Sequence, residues 1–168
     1  MKDNNIGLSL LKSGEWPNHL ADKGKHNFVY SMLPHNQPLL QSDIYEEGHK
    51  LNAFKYACVL KEQLEIKPDY SFIDIDAENV IIQALKRSEA DPKAFVLRLQ
   101  EERGCSAAVK VTLNNRLLGI SRVEQCNSLE DTDYESVGEV RTEYSFSAED
   151  GTLLVEVTPF KFISFLLY

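Results

Sequence analysis

Four histidines, His19, His26, His35 and His49, all fall in the first third of this 168-residue chain. Imidazoles can hold a divalent metal or move a proton near neutral pH. Metal ligation needs further donors at fixed spacing, and His26 and His35, two histidines without a carboxylate or thiolate at such a spacing, make a weak metal signal. Hydrogen bonding to the backbone at strand ends is the simpler use of His26 and His35. The thiols offer little more: Cys58, Cys105 and Cys126 are odd in number and far apart, with no C-x-x-C pair, so they read as reduced cysteines. Among the carboxylates, Asp74 and Asp76 alternate with Ile73 and Ile75 and share one strand face, which fits the solvated face of an edge strand better than an acid–base pair. Asp131-Thr132-Asp133-Tyr134-Glu135 opens like a calcium loop but lacks the glycine at its sixth position and the glutamate at its twelfth. There is no G-x-S-x-G, no glycine-rich phosphate loop and no H-E-x-x-H. Nucleophilic and nucleotide chemistry therefore have no support.

Charge narrows the partners. The chain has 18 basic and 26 acidic residues, a formal net charge of -8, and no lysine or arginine cluster interrupts that balance. Attraction to a phosphate backbone or an anionic bilayer is missing, so nucleic acid and membrane surfaces are excluded as expected partners. No apolar run approaches the roughly 20 residues of a membrane helix, and Met1 to Asn5 lacks the apolar stretch of a secretory signal. The expectation is a cytoplasmic protein.

The elements that must position these residues are mostly extended. Ile6 to Leu11 is a short apolar strand, and Trp16-Pro17-Asn18-His19 makes a turn. Ala21 to Asn27 is a polar loop. After it, Phe28, Tyr30 and Met32 alternate with Val29, Ser31 and Leu33 until Pro34 removes a backbone donor, which predicts a strand with a histidine just past each end. Ser42 to Glu47 predicts a helix start, with Asp43 and Glu46 as a capping-box pair, and Leu51 to Leu60 returns to extended chain. The charged, proline-ended stretch Lys61 to Pro68 is the candidate domain boundary.

Beyond Tyr70 the period is two. Phe95, Leu97 and Leu99 oppose Val96, Arg98 and Gln100; Ala107, Val109, Val111 and Leu113 oppose Lys110 and Thr112. Glu101 to Gly104 is predicted to join those two strands as a hairpin, Asn114-Asn115 to supply the next turn, and Glu124 to Val140 to form a long exposed connection. Glu149-Asp150-Gly151 is the sharpest turn signal. The last run, Phe160 to Leu167, is apolar on both faces and belongs in a central, twice-covered position. The pattern is all-β, an antiparallel β-sandwich of supersandwich or immunoglobulin-like type with one short helix.

Several stretches carry a family resemblance. Ala21-Asp22-Lys23-Gly24, His26, Phe28, Tyr30, Leu33 and Pro34-His35 together resemble a block in the C-terminal region of glycoside hydrolase family 38, the α-mannosidases. Gly7 to Ser13, Leu51-Asn52, Glu78 to Lys86, Val96 to Glu101 and Thr158 to Ile163 are similar to other parts of that region. Lys161 stands where the family more often has an acidic residue, and Glu124 to Gly138 matches poorly. The resemblance implies that residues 1–64, with the Asp22–His35 block, end a large β-sandwich region, and that 65–168 form a small C-terminal one. It also implies a parent enzyme performing zinc-dependent, retaining hydrolysis of α-mannosides. Its zinc and catalytic carboxylates would lie in an N-terminal barrel outside these residues. On that reading the chain has no catalytic residue or metal site, packs against the barrel, and hydrolyses nothing by itself. Trp16, His26, Tyr30 and His35 are the candidates for contact with carbohydrate; Trp16 is better explained as an aromatic lid over a core edge. The alternatives are a stand-alone carbohydrate-binding module, with Trp16 and either Tyr30 or Tyr45 as its platform, and a structural sandwich that self-associates through exposed apolar strands.

Overall fold

The strands of alternating period fold as two stacked antiparallel sheets in a computed structural model that describes residues 5–53, 71–133 and 141–168. The chain divides into two units, Met1–Asn36 and Gln37–Tyr168. In the second, a 3₁₀ turn at Leu39–Gln41 precedes helix α1, Ile44–Asn52. The strands follow as β1 Ile73–Ile75, β2 Val80–Arg87, β3 Phe95–Glu101 and β4 Ala107–Leu113. After the short helix α2, Asn115–Leu118, come β5 Val123–Cys126, β6 Tyr144–Ser147, β7 Thr152–Val157 and β8 Phe162–Leu167. One sheet has the order β1-β4-β7-β6 and the other β2-β3-β8-β5.

Alternation decides which residues meet between the sheets. Val109, Val111 and Leu113 of β4 and Leu153, Val155 and Val157 of β7 face Leu97 and Leu99 of β3 and Ile163, Phe165 and Leu167 of β8, all buried in one core. Each fully buried side chain of this size contributes roughly 1.5–3 kcal/mol. As its two-faced apolar pattern requires, β8 lies between β3 and β5. Its outward Leu166 packs with Val96, Ala94 and Cys126 in a second, smaller cluster. β6 and β7 form the expected hairpin, Ser147 opposite Thr152, with Gly151 at φ +68°. Asp74 is exposed on edge strand β1, and Asp76, exposed just beyond it, accepts the Lys110 N–H at 2.7 Å.

Several expectations are corrected. Glu101 to Gly104 is not a hairpin: β3 pairs with β2 and β8, while β4 pairs with β1 and β7, so the link crosses from one sheet to the other. The Asn114-Asn115 turn is the start of α2, where Asn115 both donates to the Ile120 carbonyl and accepts its N–H. The run from Glu124 is no exposed connection at its start, because β5 continues to Cys126, and Asn127 and Glu130 are buried; residues 134–140 lie outside the described residues. α1 forms where expected but reaches Asn52, so Leu51 is helical, and Asp43 caps it without a side-chain hydrogen bond. The stretch 54–60 and the boundary at 61–68 lie outside the described residues.

In the unit Met1–Asn36, neither Ile6–Leu11 nor Phe28–Leu33 joins a ladder among the described residues. Val29 is 84% exposed, Tyr30 70% and Met32 76%. The alternation marks faces made to be buried; without a neighbouring strand the backbone groups and both faces stay in water.

Candidate functional site

β3 ends on its core-facing phase, so after Phe95, Leu97 and Leu99 the next inward residue is Glu101, whose side chain is wholly buried. A buried carboxylate must be saturated with donors. Oε1 accepts the backbone N–H of Arg103 at 2.8 Å and of Cys105 at 3.2 Å, together with Asn79 Nδ2 at 2.9 Å. Oε2 accepts the N–H of Gly104 at 2.9 Å and of Phe160 at 2.8 Å. Burial alone would push this carboxyl up; the donors from Phe160, Asn79, Cys105 and Arg103 outweigh it and hold the group down at about 2. Ionised and fully bonded, Glu101 ties together the β3–β4 link, the turn before β8 and the start of β2. It is a structural anchor, with no lone pair left to attack a substrate.

Glu130 does the same work at the other end of the second sheet. Its Oε2 accepts the Ser88 hydroxyl at 2.7 Å and the Glu89 N–H at 2.8 Å, and its Oε1 meets Lys86 Nζ at 2.8 Å. Here too burial is outweighed, by the Lys86 ammonium, the Ser88 hydroxyl and the Glu89 N–H, and the carboxyl is held at about 2. Neither glutamate was singled out from the sequence. For Glu101 a signal existed, since it sits in phase with the inward leucines; Glu130 gave none.

A groove of about 600 Å³ opens between α1, the start of β2 and the β3–β4 link. Tyr45, His49 and Asn52 line it from the helix, Ile81 and Ile82 from β2, and Glu102 and Arg103 from the link. His49 Nε2 lies 2.8 Å from Glu102 Oε1. Of these, Tyr45 and His49 figured in the sequence reading, Tyr45 as a possible platform and His49 as one of four clustered histidines, without being brought together.

The four carbohydrate-contact candidates, Trp16, His26, Tyr30 and His35, fall in the unit Met1–Asn36. Trp16, 81% exposed, turns its ring edge to His19 at 5.3 Å. His26 bonds the Asp22 carbonyl through Nε2 at 2.8 Å and stacks on Phe28 at 6.0 Å. Tyr30 and His35 are exposed. Among the described residues no three histidine, cysteine, aspartate or glutamate side chains form a group that could hold a metal. The zinc of the family resemblance thus has no fitting donor set there. Cys105 is an exposed free thiol, Cys126 is buried, and Cys58 lies outside the described residues. No helix among the described residues is long and apolar enough to cross a membrane.

Two antiparallel sheets stacked about one core, with buried acids holding the loops at their ends, define a β-sandwich domain. Residues 79–165 match the family described as the glycosyl hydrolases family 38 C-terminal beta sandwich domain, and the chain belongs to that family. Alpha-mannosidase G of Dictyostelium discoideum is 30% identical over 95% of this chain, an alpha-mannosidase of Saccharomyces cerevisiae 29% over 98%, and human alpha-mannosidase 2C1 25% over 96%. The chain spans only 14%, 16% and 15% of those proteins' lengths. No solved structure gives a significant match.

Proposed function

We propose that this chain serves as the non-catalytic C-terminal β-region of a cytoplasmic α-mannosidase, packing against a catalytic barrel that performs zinc-dependent, retaining hydrolysis of α-mannosides. The observation that carries this reading is the division of labour among its carboxylates. Glu101 and Glu130 are buried and consumed by loop N–H groups, while Asp74 and Asp76 lie on or beside a solvated edge strand. A retaining glycosidase needs two carboxyl groups about 5–5.5 Å apart across a bound sugar; the close carboxylate pairs described here, Glu46 with Glu47 and Glu89 with Glu130, are each bridged by one lysine ammonium, Lys50 and Lys86. The α-mannosidases named above, several times longer, support assignment of the chemistry to another domain. The unladdered apolar stretches Ile6–Leu11 and Phe28–Leu33 then find their partners in sheets of the longer protein, and self-association through them is the fate of the isolated chain. The exposed free thiol of Cys105 suits a reducing compartment.

The test is an assay of the purified chain with a chromogenic α-mannoside in the presence of zinc. No turnover is expected, and turnover approaching that of an intact α-mannosidase would refute the reading.

A further inference from the structure

We propose that the groove between α1 and β2 is a binding site for a neutral saccharide, and specifically for a mannoside chain; the choice of sugar rests on the function proposed above. Its volume of about 600 Å³ falls within the range of small-molecule sites, roughly 300–1,000 Å³. Its walls divide by chemistry. Ile81, Ile82 and Ala53 are apolar and Tyr45 adds a half-buried ring, the combination that accepts the C–H face of a pyranose. His49, Asn52, Glu78, Glu102 and Arg103 bring donors and acceptors suited to hydroxyls.

Charge decides against an ionic ligand. The groove is lined by the carboxylates of Glu46, Glu78 and Glu102 and by the Lys50 ammonium and the Arg103 guanidinium, so charges of both signs are mixed and neither forms a patch. Two of the three acids are already engaged, Glu46 with Lys50 at 2.7 Å and Glu102 with His49 at 2.8 Å. A phosphate would meet the acids, and a polyamine would meet Arg103 and Lys50.

The polar wall is also fixed in advance. The backbone N–H of Arg103 is held by Glu101, that of Glu102 by the Asn79 carbonyl at 3.0 Å, and the Glu102 side chain by His49. Side chains that project from a backbone fixed before the ligand arrives lose less entropy on binding. The Arg103 guanidinium is half-buried and makes no hydrogen bond to another described residue, so it is available to a pair of vicinal hydroxyls.

The experiment is titration of the full 168-residue chain with mannotriose, with cellotriose as control, followed by calorimetry and by amide chemical shifts. Saturable binding of mannotriose is expected, with shifts at Glu46, Asn52, Ile82 and Arg103. Tyr45→Ala and Arg103→Ala should each weaken it about tenfold or more, with thermal unfolding of the sandwich retained. Absence of binding by a folded chain, or binding that neither variant weakens, overturns the site. Equal binding of cellotriose overturns its assignment to mannosides. A chain that binds mannotriose here yet hydrolyses a mannoside overturns the accessory role and leaves the groove standing, so the two readings fail separately.

Discussion

The backbone N–H of Phe160 donates to Oε2 of Glu101 at 2.8 Å, and the ring of Phe160 fills the space that a Cβ on Gly104 would need. Phe160 holds φ at +57° and Gly104 at +72°. A left-handed conformation at a phenylalanine costs on the order of 1–2 kcal/mol, which a bond to a buried charge, about 1.5–3 kcal/mol, offsets. Glu101→Gln keeps the shape but replaces one acceptor with an NH₂ aimed at N–H donors. Urea unfolding should show a loss of about 3 kcal/mol; a change within about 0.5 kcal/mol, the range of an ordinary surface substitution, would contradict the anchoring role.

Acid should unfold the sandwich through the same group. Folded Glu101 titrates at about 2 against an ordinary 4.5, and Glu130 does likewise. Because the folded values are depressed, their stabilisation is fully present above about pH 5 and drains away as the pH falls toward 2. Each group accounts for roughly 3 kcal/mol across that window. Stability measured from pH 7 to 3 should therefore drop steeply below 5, and the slope should be shallower in Glu101→Gln by the share of one proton.

What the sequence made legible was phase. Leu97, Val109, Leu153 and Phe165 each announce their buried face by alternation, and the two-faced pattern of β8 placed it at the centre of a sheet. Pairing was hidden, because alternation says which side is buried and not which strand lies alongside. Glu101-Glu102-Arg103-Gly104 has hairpin composition, yet it crosses between sheets because its first residue turns inward and gathers the following N–H groups about itself. The groove was equally hidden, since His49 and Glu102 are 53 residues apart and meet only when the helix settles beside the link.

Two glycines separate conformational strain from crowding. A Cβ at Gly151, φ +68°, would lie 2.3 Å from the Leu113 carbonyl oxygen, a backbone atom held by the β4 ladder, so Gly151→Ala has no route to relief. A Cβ at Gly104 would meet Phe160 Cζ at 2.7 Å, the far end of a side chain that is 59% exposed. Gly151→Ala should cost about 3 kcal/mol or more. Gly104→Ala should cost less, and its cost should shrink further in a Phe160→Ala background. A double-mutant cycle reads that coupling directly; strict additivity of the two changes would show that the ring and the glycine do not contend for the same space.

The two units should differ in hydrogen exchange because their backbones differ in partners, not in sequence character. Phe28–Leu33 alternates as cleanly as Phe95–Glu101, yet only the latter lies between two neighbouring strands, β2 and β8. Protection follows paired and buried N–H groups, and protected core strands open only with global unfolding. Exchange followed by mass spectrometry should be slowest over Val96–Leu99 and Ile163–Leu167 and fastest over Ile6–Leu11 and Phe28–Leu33. If the Phe28–Leu33 amides were as protected as those of β3 in the isolated chain, that stretch would have a ladder partner within these residues. The proposal that its partner strand comes from elsewhere in a longer protein would then be lost.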